Sequence, residues 1–244
     1  MYGWRARIGL IIPDGDSTLE PELWRMAPEG VAIFSARFHT LPGNTSQTDK
    51  HLWAMADKVE EATKLLLPLK PTSITFGCTS GSFIGGTEWT EGLIKKINNA
   101  APDIPASTII TAAVAALKEL EIKKVAVITP YIKKINDVLK DYLEKIGFEV
   151  VNMQRRKGEY KDVYEFQDNN PHENYKLIRS VDVPGAEGIF QSCTGLHAAP
   201  IIEKLERDLG KPVITSNIAT LWDALRKAKV SEPTKGYGSL LRML

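Results

Sequence analysis

The chain is 244 residues long, 43% hydrophobic and 25% charged, which excludes a largely disordered protein and argues against a coiled coil. Lys and Arg number 31 against 30 Asp and Glu, a net charge of +1, so no basic surplus points to nucleic acid and no acidic tail to a charge-driven partner.

Residues 1–7 lead into 8–12 (IGLII), which reads as a buried strand ended by Pro13. This apolar run is too short for a signal peptide and carries no small-residue cleavage pattern. Nowhere does the chain approach the ~20 apolar residues of a membrane span, so a cytoplasmic protein without membrane contact is expected. Residues 31–34 make a second β-rich run. Helical spacing covers 51–69, with Trp53, Met55, Val59, Ala62, Leu65 and Leu66 on or near one face. Residues 73–76 (SITF) form the next strand and run into Gly77-Cys78. Helices are expected over 87–98 and over 110–120, the second starting at Thr111, followed by a strand over 124–128 (KVAVI). In 131–146, Ile132, Ile135, Leu139, Tyr142 and Leu143 keep a strong helical rhythm, and Gly147 suits the C-terminal cap. A strand at 148–153, a polar irregular stretch at 158–171 and a short helix at 172–181 come next. The remainder reads as strand 188–191, helix 198–209, strand 213–215 and helix 218–228. Such alternation predicts an α/β fold with mostly parallel sheets and helices on both faces.

One motif repeats. A strand runs into Gly77-Cys78-Thr79-Ser80-Gly81, and half a chain later another runs into Ser192-Cys193-Thr194-Gly195. That spacing fits two similar α/β lobes with a boundary near 107–111, each offering one cysteine after a strand. Ligands of parallel α/β folds bind beyond the carboxyl ends of the strands. A thiol there meets backbone N–H groups, while small hydroxyl neighbours let an oxyanion approach. Two facing thiols can take a proton from one face of a carbon acid and return one to the other. A thiolate can also add to an activated double bond, allow rotation and leave. Two inert buried cysteines are the plainer alternative. Two cysteines are too few for a disulfide scaffold, neither belongs to a CxxC pair, and the four histidines show no ligand spacing, so no metal is expected. No nucleotide motif occurs beyond a weak glycine-rich 81–86, so no cofactor is expected either.

Other residues reach the same sheet edge. Tyr131, after Pro130, is a candidate donor or a packing aromatic. Asp14 and Asp16 follow the first strand and could orient a substrate or simply form a turn. Asn217 could line the cleft or only cap a helix. His197 lies close enough to Cys193 to tune it. Trp4, Trp53, Trp89 and Trp222 read as packing.

Several segments together resemble one family. These are Arg7-Ile8-Gly9-Leu10-Ile11-Ile12-Pro13 with Glu20-Pro21-Glu22, Cys78-Thr79-Ser80, Pro130-Tyr131, Ser192-Cys193, Leu221-Trp222-Asp223-Ala224-Leu225 and Gly236-Tyr237-Gly238. Over nearly its whole length the chain resembles the aspartate/glutamate racemase superfamily, in its branch of maleate cis-trans isomerases and arylmalonate decarboxylases. The resemblance implies two pseudo-symmetric three-layer α/β/α lobes with mostly parallel four-stranded sheets and an active site in the cleft between them. The first lobe would be 1–108, completed by the C-terminal 217–244, and the second 109–216. It implies a cofactor-independent enzyme with Cys78 as nucleophile or base and Cys193 as acid, and with Thr79, Ser80 and Tyr131 as oxyanion donors. Thr194, Asp14, Asp16 and Asn217 complete the expected substrate-binding set. The expected partner is a small carboxylate substrate, with a homo-oligomer (dimer or tetramer) as a possible assembly. Maleate isomerases carry one asparagine where this chain has Asp16 and another in the segment that aligns near Val163; those asparagines hold a substrate carboxylate. Two rival readings follow. One is a decarboxylase of aryl- or alkylmalonates, in which the first cysteine is replaced by glycine and only Cys193 is needed. The other is a non-catalytic binder of small carboxylates.

Overall fold

The computed structural model describes residues 2–40, 49–158, 165 and 167–244. Two wholly parallel, four-stranded sheets organise them. In the first, β1 (Ala6–Pro13), β2 (Val31–Phe38), β3 (Ser73–Phe76) and β4 (Ala106–Thr108) stand in the order β2-β1-β3-β4. In the second, β5 (Lys124–Thr129), β6 (Glu149–Arg155), β7 (Gly188–Gln191) and β8 (Val213–Thr215) repeat that order as β6-β5-β7-β8. The central strands are buried almost throughout because helices cover both faces: β3 and β7 are buried at every residue and β1 at six of eight.

The helices are α1 (Leu19–Met26), α2 (Asp49–Ala54), α3 (Val59–Leu66), α4 (Thr79–Phe83), α5 (Gly86–Ala100), α6 (Ile109–Glu119), α7 (Lys133–Lys145), α8 (Pro171–Val181), α9 (Ile202–Leu209), α10 (Ser216–Lys227) and α11 (Ser239–Arg242). In the first lobe α3 lies on β1 and β2 and beside α5, while α10 lies on β1 and β3 beside α1. Ser73 of β3 donates its hydroxyl to the Ala224 carbonyl of α10 at 3.2 Å. In the second lobe α7 packs on β6, and α8 on β5, β6 and β7. Helices α6 and α10 pack against each other and occupy equivalent places after the fourth strand of each lobe. Each is capped by the last residue of that strand: Thr108 accepts from Thr111 N–H and Thr215 from Ile218 N–H. Each also ends in a left-handed residue, Glu121 (φ 56°) and Lys229 (φ 58°). No helix among the described residues is long and apolar enough to cross a membrane.

Several expected boundaries move. The single helix over 51–69 is broken into α2, a 3₁₀ turn at Met55–Lys58, α3 and a second turn at Leu67–Leu69, where Pro68 lacks the N–H that a continuing helix needs. Thr111 is not the start of α6; Thr108 is its N-cap, and the two threonines bond reciprocally. Helix α7 starts at Lys133 rather than 131 and ends in a Schellman turn through Gly147 (φ 100°), with Gly147 N–H on Glu144 O and Phe148 N–H on Leu143 O. Helices α1 and α4 and strand β4 were not anticipated. They are eight, five and three residues long, too short to display a period. Trp4 and Trp53 are 63% and 46% exposed, so neither is core packing, whereas Trp222 is buried. Val163 lies outside the described residues.

Candidate functional site

The two cysteines occupy equivalent positions. Beyond β3, Gly77 N–H bonds the Ile11 carbonyl of β1 at 2.8 Å; beyond β7, Ser192 N–H bonds the Ile128 carbonyl of β5 at 2.9 Å. Each ladder extends by one residue, and the next residue is the cysteine. The loops after β1 and β5, carrying Asp14 to Ser17 and Pro130 to Ile132, leave the sheets beside the thiols because β1 pairs with β3 and β5 with β7. Ser216, the first residue of α10, ties the two segments together. Its Oγ accepts from Thr79 Oγ1 and from Cys193 N–H, each at 3.1 Å.

The thiols differ in their surroundings. Cys78 is extended (φ −130°, ψ 115°), caps α4 and is half-buried, with its sulfur 3.9 Å from Ser80 Oγ. A Cβ on Gly81 would lie 3.1 Å from both the Cys78 sulfur and Met55 Sδ, a tight contact that glycine avoids. Burial raises the Cys78 thiol to about 11; Gly81 N–H and the Ser80 hydroxyl oppose that rise, and the Asp16 charge adds to it. Cys193 is 6% exposed, and its sulfur accepts from Gly195 N–H at 3.4 Å. Burial raises it to about 12, with Gly195 N–H opposing and the charges of Asp16 and Cys78 adding. Both thiols are therefore protonated at rest, and ionising one disfavours ionising the other.

Tyr131 is buried edge-on to Phe83, with ring centroids 5.9 Å apart. Its loop is fixed: Tyr131 N–H donates to Thr129 Oγ1 at 3.1 Å, and Asn136 Nδ2 donates to the Tyr131 carbonyl at 3.3 Å. Among the described residues neither the phenol nor the buried Ser192 Oγ makes a hydrogen bond of full geometry, although the Ser192 and Thr79 hydroxyls lie close enough to the phenol to oppose the rise in its pKa. Burial pushes Tyr131 well above its ordinary pKa, and the Cys193 charge adds to this, so the phenol is a standing O–H donor.

The first loop separates its two aspartates. Asp14 faces outward. Its carboxylate engages Thr40 Oγ1 at 2.9 Å, Gly15 N–H at 2.9 Å and His39 Nδ1 at 3.1 Å. Burial works against its charge, but these bonds outweigh it and hold the carboxyl below its ordinary pKa. Asp16 is buried, and its Oδ1 accepts from Thr18 N–H at 2.9 Å and Leu19 N–H at 2.8 Å, securing the start of α1. Thr79, Ser80 and Thr194 are all buried beside the cysteines.

Asn217 lies inside α10, whose cap is Thr215. Its Nδ2 donates to the Thr194 carbonyl at 3.0 Å and to Glu22 Oε2 at 2.8 Å. Glu22 escaped the reading of individual residues except as part of a family segment. It is a buried carboxylate from α1 whose Oε1 accepts from Ala198 and Ala199 N–H, each at 2.9 Å. Burial raises its pKa, with Asn217 and those two N–H groups opposing. His197 does not bond Cys193. Its Nε2 meets the Gln167 carbonyl at 2.9 Å and Thr18 Oγ1 at 3.3 Å. Gln167 clasps the first loop from the other lobe, accepting from Ser17 N–H at 2.8 Å and donating to the Gly15 carbonyl at 2.9 Å. Asn169 Nδ2 holds the Gly195 carbonyl at 3.2 Å, and Asn174 Nδ2 holds the His197 carbonyl at 2.5 Å. Single polar residues of this kind have no periodic trace; only their position after strands or at helix starts could have marked them. Among the described residues no three His, Cys, Asp or Glu side chains gather as a metal site.

Two thiols and a row of hydroxyls at matched strand ends describe a site for proton transfer or thiolate addition at carbon. The family model described as arylmalonate decarboxylase matches residues 8–241. The chain belongs to the arylmalonate decarboxylase family. It is 27% identical to the maleate isomerase of Pseudomonas putida, over 96% of each chain. It is equally 27% identical to the arylmalonate decarboxylase of Bordetella bronchiseptica, over 96% of this chain and 95% of that one. Among solved structures, a cysteine-to-serine mutant of the Nocardia farcinica maleate cis-trans isomerase, holding a covalently bound succinylcysteine intermediate, shares the fold. Its TM-score is 0.87 at 23% identity, covering 97% of this chain and 98% of that one. Membership makes the protein an enzyme of the cofactor-independent isomerase, racemase or decarboxylase type.

Proposed function

We propose that the enzyme isomerises or racemises a small carboxylic acid, with Cys78 and Cys193 acting on opposite faces of the substrate. The pseudo-symmetric placement of two thiols, joined through Ser216 and close to the buried Tyr131 phenol, carries this reading. The reacting form holds one thiolate and one thiol. Cys78 takes the thiolate role because it is the more open of the two and has two donors, Gly81 N–H and Ser80 Oγ, to stabilise charge. Cys193, the more deeply buried, keeps its proton and supplies it.

Two routes use this arrangement. In stereoinversion the Cys78 thiolate takes the α-proton and leaves an enediolate. Cys193 S–H then protonates the opposite face, and proton exchange with water resets both thiols. In cis-trans isomerisation the Cys78 thiolate adds to the double bond, and Cys193 protonates the adjacent carbon to give a saturated thioether. After rotation about the new single bond Cys193 takes the proton back, the carbon–sulfur bond breaks, and the thiolate is restored. A succinylcysteine is the adduct this route forms with maleate, and one is held in the Nocardia relative. In both routes Thr79, Ser80 and Tyr131 donate to the carboxylate or enediolate oxygens, where a preorganised donor gives most to the rate. Thr194 and Asn217 act from beside Cys193, and Asp14 acts through the shape of the first loop. The same reading places the enzyme in the cytoplasm, where two free thiols persist, working as a single chain or a dimer or tetramer.

Decarboxylation of a substituted malonate is the second reading, favoured by the description of the family model. It would use Cys193 alone to protonate the enediolate left by carbon dioxide. The presence of Cys78 favours the two-thiol reading. Alkylation with iodoacetamide, mapped by mass spectrometry with and without candidate acids, separates them. The two-thiol reading expects one acid to protect both cysteines and turnover to vanish in Cys78→Ala and in Cys193→Ala. Release of carbon dioxide that survives Cys78→Ala would replace it with the decarboxylase.

A further inference from the structure

One buried carboxyl group has no part in either route above. Glu22 stands on α1, is 6% exposed, and reaches the chain that follows Cys193. Its Oε1 accepts from Ala198 N–H and Ala199 N–H, each at 2.9 Å, and its Oε2 accepts from Asn217 Nδ2 at 2.8 Å. Three N–H donors meet its two oxygens, so both oxygens act as acceptors.

The Asn217 amide passes this hold on to the Cys193 sulfur. Its Nδ2 gives one hydrogen to Glu22 Oε2 and the other to the Thr194 carbonyl at 3.0 Å. Thr194 C=O and Gly195 N–H belong to one planar trans peptide, in which the two bonds point in opposite directions. Fixing the carbonyl on Asn217 therefore aims the N–H the other way, and Gly195 N–H lies on Cys193 Sγ at 3.4 Å. That N–H is the group that most opposes the rise of the Cys193 thiol, so it is the main support of the thiolate left when Cys193 gives up its proton. The Asn217 orientation depends in turn on Glu22. Turned over, the amide would set Oδ1 against a carboxylate oxygen and a carbonyl oxygen, two acceptors. Cys78 needs no such clasp: the N–H that serves its sulfur, that of Gly81, is placed by helix α4 itself.

Resting on the reading of Cys193 as the proton donor, we propose that Glu22 is a positioning residue for that cysteine: through the Asn217 amide and the Thr194–Gly195 peptide it holds an N–H on the sulfur while Cys193 gives up and takes back its proton. It acts through these amides and not by contact with the reacting atoms. The position calls for a carboxylate. A glutamine of the same size can keep Ala198 and Ala199 N–H on its oxygen, but its NH₂ then faces the Asn217 NH₂. Turning Asn217 over to relieve that clash takes the donor off the Thr194 carbonyl.

Glu22→Gln tests this through the rate at which iodoacetamide alkylates Cys193 at one fixed pH, mapped by mass spectrometry, with Cys78 of the same molecule as internal control. Glu22→Ala serves less well, because it also frees the Ala198 and Ala199 N–H groups and loosens the whole segment. Glu22→Gln is expected to slow alkylation of Cys193 at least ~3-fold and to leave Cys78 within ~2-fold, since a thiol that loses its N–H donor ionises less. A merely structural role predicts the opposite, faster alkylation of a loosened and more exposed Cys193. Asn217→Leu cuts the same link from the other side and should slow Cys193 likewise, and the double variant should be no slower than the slower single one. Should Glu22→Gln fail to fold, Asn217→Leu decides by the same readout. For an acid that the wild type turns over in D₂O, followed by proton NMR, Glu22→Gln should lower kcat at least ~10-fold and change KM less than ~3-fold. The proposal is overturned if alkylation of Cys193 is unchanged or faster in Glu22→Gln, if Cys78 slows equally, if the effects of the two variants add, or if kcat is unaltered. Failure of the reading it rests on looks different: turnover would survive Cys193→Ala, while alkylation of Cys193 would still respond to Glu22→Gln.

Discussion

The Cys78 and Cys193 segments begin alike and end differently. Each follows the third strand of a β2-β1-β3-β4 type sheet, and each extends its ladder by one residue before the cysteine. After Cys78 the chain turns at once into α4, and the thiol stays partly open. After Cys193 it runs through Thr194, Gly195 and His197 without a helix. That stretch is held by Asn217 on the Thr194 carbonyl, Asn169 on the Gly195 carbonyl, Asn174 on the His197 carbonyl and Glu22 on the Ala198 and Ala199 N–H groups. Repeated topology thus sets where the thiols stand, while side chains from distant parts of the chain decide what each can do. An open thiol with two donors suits the charged role, and a buried, clasped thiol suits the proton donor.

This contrast can be broken or sharpened in steps of decreasing size. With thiols at about 11 and about 12, alkylation of Cys78 should rise roughly tenfold per pH unit from pH 7 to 10, about 10³-fold in all, without a plateau. Cys193 should lag behind it throughout. Peptide mapping of an iodoacetamide time course checks both, and a plateau near pH 8 for either thiol would break the assignment.

Glu22→Ala removes the acceptor of three buried donors and should cost about 2–4 kcal/mol in urea unfolding. It should also raise the alkylation rate of Cys193 relative to Cys78. The pH dependence has a definite sign. The folded-state pKa of Glu22 lies above the ordinary 4.5, because burial outweighs its bonds to Asn217, Ala199 and Ala198. The folded chain therefore binds that proton more tightly than the unfolded chain, and this group's contribution to stability falls as pH rises from about 4.5 through the folded value, then levels. Urea unfolding of Glu22→Gln across pH 4 to 8 should lack that fall.

The smallest pair uses the residues just before the two cysteines. A Cβ on Gly77 would meet Ile12 Cγ2 at 2.5 Å and Leu19 Cδ2 at 2.9 Å, so Gly77→Ala should cost about 1–3 kcal/mol. At the equivalent place Ser192 carries a buried hydroxyl that makes no hydrogen bond of full geometry among the described residues, so Ser192→Ala should leave stability within about 1 kcal/mol of wild type or raise it. Thermal unfolding of the two variants side by side checks the asymmetry.

Much of this architecture was legible because its signals are local. The apolar runs at 8–12, 73–76 and 188–191 lie in β1, β3 and β7, since a strand buried on both faces needs no alternation to be seen. The repeated cysteine context showed the two lobes. What escaped was short or distant. Helix α4 has five residues, and the run before it reads as a strand flowing into a loop. Glu22, Gln167, Asn169 and Asn174 work through partners in other elements, and the sequence around each looks like ordinary surface. Asp16 was visible as a residue at the right edge, but the use of its Oδ1 to secure the start of α1 is a property of the folded loop alone.

The central claim, two thiols acting on one carbon framework, is tested most directly by proton NMR in D₂O. Wild type, Cys78→Ala and Cys193→Ala would be run with maleate, maleamate, alkyl- and arylmalonates and both hands of several amino and hydroxy acids. The account predicts conversion of a double bond, or deuterium entry at an α-carbon, for one of these acids with the wild type, reduced at least ~10³-fold in each variant. Turnover that persists undiminished in Cys78→Ala would contradict it.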